Sequence, residues 1–238
     1  KILQPKRMKH FKPYIKAISK VFIVFMVAMY TYVNAYTQDM TPLVLKVKAK
    51  LDQVNSYTAD GVMKTDIVFI KAPISKVKVF YKKPNTFKLE RSGGISLLPK
   101  GGVSINMSNM LATTNFTAFA AGEETIKGVK VRVVKLIPMS ESSDVVLTTM
   151  YIDEANLLIM KAVTTTKENG TYEMEMTYGK FANYGLPDKV VFSFNTKDYK
   201  LPKGITLEFE EGAKPNDANL LKNKKGRVTI NYFNYVVN

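Results

Sequence analysis

The chain has 238 residues, 46% of them apolar, with 35 Lys and Arg against 20 Asp and Glu, and it contains no cysteine and no tryptophan. That apolar content supports a real core and argues against global disorder. The missing cysteine excludes disulfides, thiol catalysis and thiolate metal sites. The single histidine is His10, so no Ser-His-Asp machinery and no usual zinc site is available beyond it.

The charge is uneven. Residues 1–35 carry seven of the basic residues (Lys1, Lys6, Arg7, Lys9, Lys12, Lys16 and Lys20) and no acid, which leaves a net charge of +8 on the remainder. The basic stretch runs into the apolar segment Val21–Val33 and then into Val33-Asn34-Ala35. This is the pattern of a secretory signal peptide with its cleavage site. The apolar run is short for a membrane span, which needs about 20 residues. The expectation is a signal peptide over 1–35 and one exported domain over 36–238, with an uncleaved anchor as the alternative.

Thr41-Pro42 predicts a helix start, with Thr41 as cap and proline at the first position. Leu43, Val47, Leu51 and Val54 recur at helical spacing, so an amphipathic helix is expected to about Asn55. Tyr57–Lys71 reads as strand, rich in β-branched residues. Ser75–Glu90 reads as a hairpin. Val77, Val79 and Tyr81 fall on one face and Lys76, Lys78, Phe80 and Lys82 on the other, with Pro84-Asn85 at the turn and Phe87 and Leu89 resuming the apolar alternation.

Glycines 93, 94, 101 and 102 flank short apolar pieces. A short helix is expected from Ser108 to Gly122, carrying Met110, Leu111, Phe116 and Phe119. A glycine-flanked apolar segment beside a one-sided sheet suits either a movable lid or an ordinary packed connection. Strands are then expected at Val129–Val133, Val145–Ile152, Leu157–Thr166, Tyr172–Tyr178, Val190–Phe194, Ile205–Phe209 and Val228–Tyr235, joined by turns. Asp153–Asn156 is one of these turns, and its acids are read as solvated. Short turns between strands imply an antiparallel sheet with one wet face. A parallel α/β fold is not expected, since strands and helices do not alternate.

LDQVNSYTAD (Leu51–Asp60), the basic-Pro-Asn-x-Phe run (Lys83, Pro84, Asn85, Phe87), GGISLLPKGG (Gly93–Gly102) and ENGTYEMEMTYGKF with GLPDKVVFSFN (Glu168–Asn195) together resemble the periplasmic outer-membrane lipoprotein carriers, the LolA-like family, and in particular its outer membrane lipoprotein-sorting branch. The resemblance implies a mainly β (α+β) fold, an incomplete antiparallel β-barrel with an N-terminal amphipathic helix and a short helical lid over an apolar cavity. It implies a periplasmic carrier that binds the acyl chains of lipoproteins, an inner-membrane release transporter and an outer-membrane receptor as partners, and a monomer. A lipid- or lipoprotein-sensing module of the same fold is the alternative.

Family members place an arginine before the Pro-Asn turn to latch the lid. Lys83 holds that position here, keeping the charge without the planar fork. The cavity and lid residues expected from face alternation and the family pattern are Val77, Val79, Tyr81, Phe87, Leu89, Met110, Leu111, Phe116, Phe119, Met174 and Met176. Nine methionines follow residue 35, and their flexible thioethers suit an irregular apolar volume.

An enzyme is the rival class. Its acidic pairs (Glu123-Glu124, Asp153-Glu154, Glu210-Glu211, Glu173 with Glu175) sit where solvated surface is expected, and no Walker loop or nucleophile elbow is present. No enzyme, no cofactor, no metal and no nucleic acid are expected. A basic surface on an exported chain suits acidic headgroups or an acidic partner. Lys222, Lys224, Lys225 and Arg227 form its densest patch.

Overall fold

A computed structural model describes residues 38–67, 70–71, 74–84, 86–92, 111, 115–141, 143–168, 170–195 and 225–238. From Asp39 onward they form a single unit built on one antiparallel sheet.

One helix, α1 (Thr41–Leu51), precedes the strands and buries Val44, Val47 and Leu51. The helix ends at Leu51, short of the expected Asn55, and a turn follows before Val54, which is also buried. Thr41 does not cap it. The Asp39 carboxylate accepts the Thr41 amide at 2.9 Å instead, because Thr41 is already helical and the chain before it must supply the acceptor. Lys48 and Lys50 lie in the last turn, where cations complement the helix dipole, and Lys48 pairs with Asp52.

The strands are β1 (Ser56–Ile67), β2 (Ile70–Lys71), β3 (Ser75–Lys82), β4 (Thr86–Arg91), β5 (Phe116–Ile126), β6 (Val129–Pro138), β7 (Val145–Asp153), β8 (Leu158–Thr166), β9 (Thr171–Thr177), β10 (Lys189–Asn195) and β11 (Lys225–Val237). The sheet order is β4-β3-β1-β11-β10-β9-β8-β7-β6-β5, with β2 paired on β1. The chain therefore builds outward to one edge at β4, restarts at the opposite edge with β5, and meanders back until β11 pairs with β1.

In β3 the burial alternates residue by residue, with Val77, Val79 and Tyr81 inside and the lysines outside, as the sequence requires. Tyr172, Met174 and Met176 of β9 alternate with Glu173 and Glu175 in the same way. Glu173 pairs with Lys161 at 2.8 Å and Glu175 with Lys127 at 3.6 Å on the outer face.

Two further expectations are corrected. The helix expected over Ser108–Gly122 is not formed where it is described: Phe116–Gly122 belongs to strand β5, paired with β6 through Ala118 and Leu136. The alanines read as helix formers, but a sheet edge supplies cross-strand partners that outweigh so weak a preference. Gly122, expected to end that helix, sits at φ +105° in the register shift between Ala120 and Glu123, where a bulge needs glycine. Second, Asp153 is not a solvated acid. It is 6% exposed and accepts the amides of Ala155 (3.0 Å) and Asn156 (3.2 Å) and the Asn156 side chain (2.7 Å), so it shapes the β7–β8 turn.

The Gly93–Gly102 motif, the strand expected at Ile205–Phe209, and Lys222 and Lys224 lie outside the described residues.

Candidate functional site

The sheet curls, and α1 shows by how much. At its start, the Met40 amide donates to the Ala118 carbonyl of β5 at 3.0 Å, and Asp39 bridges to Phe119. At its other end, the Lys83 ammonium, just after β3, donates to the Asp52 carbonyl, and the Lys83 amide donates to the Asn55 carbonyl at 2.9 Å. β5 and β3 are eight steps apart in the sheet order. Laid flat they would be separated by roughly 38 Å, at about 4.8 Å per step. A helix of 11 residues is about 16 Å long. The sheet must therefore bend into an open half-barrel, and α1 lies across its concave side as a strut.

The concave face is continuous and apolar. Val228, Phe192, Met174, Ala162, Met150 and Val134 stand side by side on six successive strands, β11 to β6, and all six are buried. A parallel row joins Met63, Ile230, Val190 and Met176. These rows, α1 and Leu111 make one buried cluster. Fully burying one such side chain contributes about 1.5–3 kcal/mol.

Most of the expected site residues lie on this face. Val77, Val79, Met174, Met176 and Leu111 belong to the cluster itself, Phe87, Leu89 and Phe116 pack against it half-buried, and Tyr81 is buried on the same side of β3. Phe119 differs. It alternates with buried Ala118, pairs with Lys135 and bridges Asp39, so it belongs to the other side of the β5 edge strand. Met110 lies outside the described residues.

The end of the face near Lys83 is aromatic. Tyr57 lies 5.3 Å from Tyr81 and 5.7 Å from Tyr235, ring centre to ring centre, and Tyr235 lies 4.9 Å from Phe181. Burial raises the Tyr57, Tyr232 and Tyr235 phenols above their ordinary range, with each neighbouring phenol adding to it. Tyr235 donates to the Pro187 carbonyl at 2.8 Å.

Among the described residues Arg91 and Arg132 both bring a charge into the apolar register, and Arg132 is held by Glu123 and Glu154. Arg91 follows Phe87 and Leu89 at period two and stands opposite Val77. The alternation that marks Phe87 and Leu89 carries Arg91 with it, although no motif assigns it a role. Burial lowers its pKa, and its Nη1 is out of solvent with no hydrogen-bond partner.

A separate open groove of about 450 Å³ runs between the outer side of α1 and the β7–β8 turn, lined by Lys46, Lys50, Gln53, Asn156, Leu157 and Asn183 among others. Its amines and amides do not suit an alkyl chain. Lys50 spans it, donating to the Asn156 carbonyl at 2.6 Å. Among the described residues no three His, Asp or Glu side chains gather as a metal site would need, and no helix is long and apolar enough to cross a membrane.

Solved structures with a similar arrangement include three bacterial proteins. An outer membrane lipoprotein-sorting protein domain from Vibrio parahaemolyticus is 10% identical, with a TM-score of 0.48 over 83% of this chain and 91% of that one. A DUF1329 family protein from Desulfovibrio piger is 11% identical, with a TM-score of 0.49 over 84% and 94%. A LolA superfamily protein from Nitrosomonas europaea is 11% identical, with a TM-score of 0.47 over 86% and 94%. At these identities and TM-scores the likenesses bring no function with them. No protein-family model matches the sequence, and no curated protein does.

Proposed function

We propose that the chain is an exported, periplasmic carrier that holds the acyl chains of lipoproteins on the concave face of its half-barrel and takes part in sorting them to the outer membrane. The observation that carries this reading is the unbroken apolar row from Val228 to Val134, laid over by one short helix. Acyl binding needs no catalytic group, only apolar area, and each buried methylene contributes about 0.8 kcal/mol. Methionines Met63, Met150, Met174 and Met176 lie in these rows, and they adapt to chains of different shape. The signal-like segment before Tyr36 supports export. Val77, Val79, Tyr81, Phe87, Leu89, Leu111, Met174 and Met176 are the contact residues of this proposal, and Lys83 is its latch, fixing the end of α1.

Native mass spectrometry of the chain purified from a bacterial envelope without detergent tests it. A population carrying acylated lipoprotein or lipid, lost when α1 is crosslinked to β5, supports the carrier. Bare protein that also refuses a triacylated peptide overturns it and favours a module that senses a protein partner.

A further inference from the structure

Arg91 is a cation in an apolar register. It ends β4, an edge of the sheet, and shares a face with half-buried Phe87 and Leu89. Across from it stands Val77, then Gly61, then Tyr232, none of them charged. The acids nearest in this register face the other way and are engaged: Glu90 pairs with Lys88 at 2.6 Å, and Asp60 accepts from the Asn234 side chain. Among the described residues Arg91 joins no ion pair, and its Nη1 is left buried without an acceptor.

A guanidinium carries five donors and is not deprotonated in proteins. Arg91 is half-buried, and a guanidinium nitrogen held out of solvent without an acceptor is unfavourable. Such a group suits an anion. The anion that best repays it is a planar or tetrahedral oxyanion, bound by the fork through two parallel hydrogen bonds.

We propose that the half-barrel also takes single-chain anionic amphiphiles, and that Arg91 seats their headgroup, a carboxylate or a phosphate. This rests on the acyl-binding reading above. The headgroup lies at the open edge beside Arg91, and the chain runs inward over Leu89, Val77 and Val79.

The test measures binding of palmitate, a lysophosphatidic acid, hexadecanol and inorganic phosphate to the full chain by calorimetry, together with the melting temperature of the empty protein. Palmitate or the lysophosphatidic acid is expected to bind at least about tenfold more tightly than hexadecanol, the worth of a charge-assisted hydrogen bond. Arg91→Met is expected to abolish that preference while leaving hexadecanol binding unchanged. It should also leave the melting temperature of the empty protein unchanged or higher, since it removes a buried nitrogen that has no acceptor. Arg91→Lys should keep part of the preference.

Equal affinity for palmitate, the lysophosphatidic acid and hexadecanol would overturn the headgroup site while leaving acyl binding standing. So would inorganic phosphate binding as tightly as palmitate, or a fall in melting temperature for Arg91→Met, which would mark a structural arginine. Failure of all three amphiphiles to bind would overturn the acyl reading itself, and this inference with it.

Discussion

Lys83 reaches from the turn after β3 to the carbonyl of Asp52, just past the last residue of α1. The acceptor is one of the carbonyls a helix leaves unpaired at its end, and the ammonium sits at the negative end of the dipole. The same residue's amide donates to Asn55, so backbone and side chain together tie the end of the helix to the β3–β4 hairpin. The start of the helix is held separately at β5 through Met40 and Ala118. The strut is thus pinned at both sides of the half-barrel.

Lys83→Met should therefore cost about 1 kcal/mol in urea unfolding, the net worth of one such hydrogen bond with its dipole share. Amide exchange in α1 should quicken, most at Val47 and Leu51. Lys83→Arg should restore both. A methionine variant as stable as the parent, with unchanged exchange, would show that the contact pins nothing.

Phe192 stands second in the apolar row and is 1% exposed, whereas Phe233 on β11 is 45% exposed. Phe192→Ala should cost about 3–5 kcal/mol through lost transfer energy and the cavity left behind. Phe233→Ala should stay within about 0.5 kcal/mol. Similar losses at the two sites, measured by denaturant midpoints, would contradict the assignment of inner and outer faces.

Gly185 has φ +68°, and a Cβ there would stand 2.7 Å from Leu51 Cδ2. Gly128 has φ +83° with open space around it. Both alanine variants bear the left-handed backbone penalty of about 1–2 kcal/mol. Only Gly185→Ala also pushes on the helix end, so it should be the more destabilising, by about 1–2 kcal/mol. Equal losses would mean that the chain yields at Leu51 without cost.

Burial holds the Tyr178 phenol above its ordinary range, and its hydroxyl donates to the Ile159 carbonyl at 2.8 Å. The folded state therefore keeps this proton longer than the unfolded state, whose phenol ionises near pH 10. The stability it contributes is complete below about pH 10 and is lost as pH rises from there toward the folded-state value. Tyr178→Phe removes the titrating group, so above pH 10 its stability should fall less steeply, by up to about 1.4 kcal/mol per pH unit. Unfolding midpoints of both proteins between pH 8 and 11 check this, and parallel slopes would refute it.

Much of the fold was legible in the chain. Alternation is a local property, so Val77-Val79-Tyr81 and Tyr172-Met174-Met176 announced their faces without any knowledge of their partners. The stripe of α1 was readable for the same reason, as was the turn at Asp153–Asn156, built from residues that favour turns.

The sheet order, its curl and the fate of the polar exceptions depend on pairing between residues far apart, which periodicity does not encode. The cap at Ser108 and the glycine at Gly122 suit a helix, but Phe116–Gly122 pairs with β6 instead. Asp153 was read as wet, but its own turn folds over it. Arg91 stands in the alternation at period two, yet only the edge position of β4 and the lack of an acid on that face among the described residues leave its Nη1 without an acceptor. The sequence by itself determined which side chains turn inward, because a strand offers only two sides. The tertiary structure decided what they enclose, because that is set by β4 and β5 lying at opposite ends of one sheet and by the 11 residues of helix that span the curve between β3 and β5.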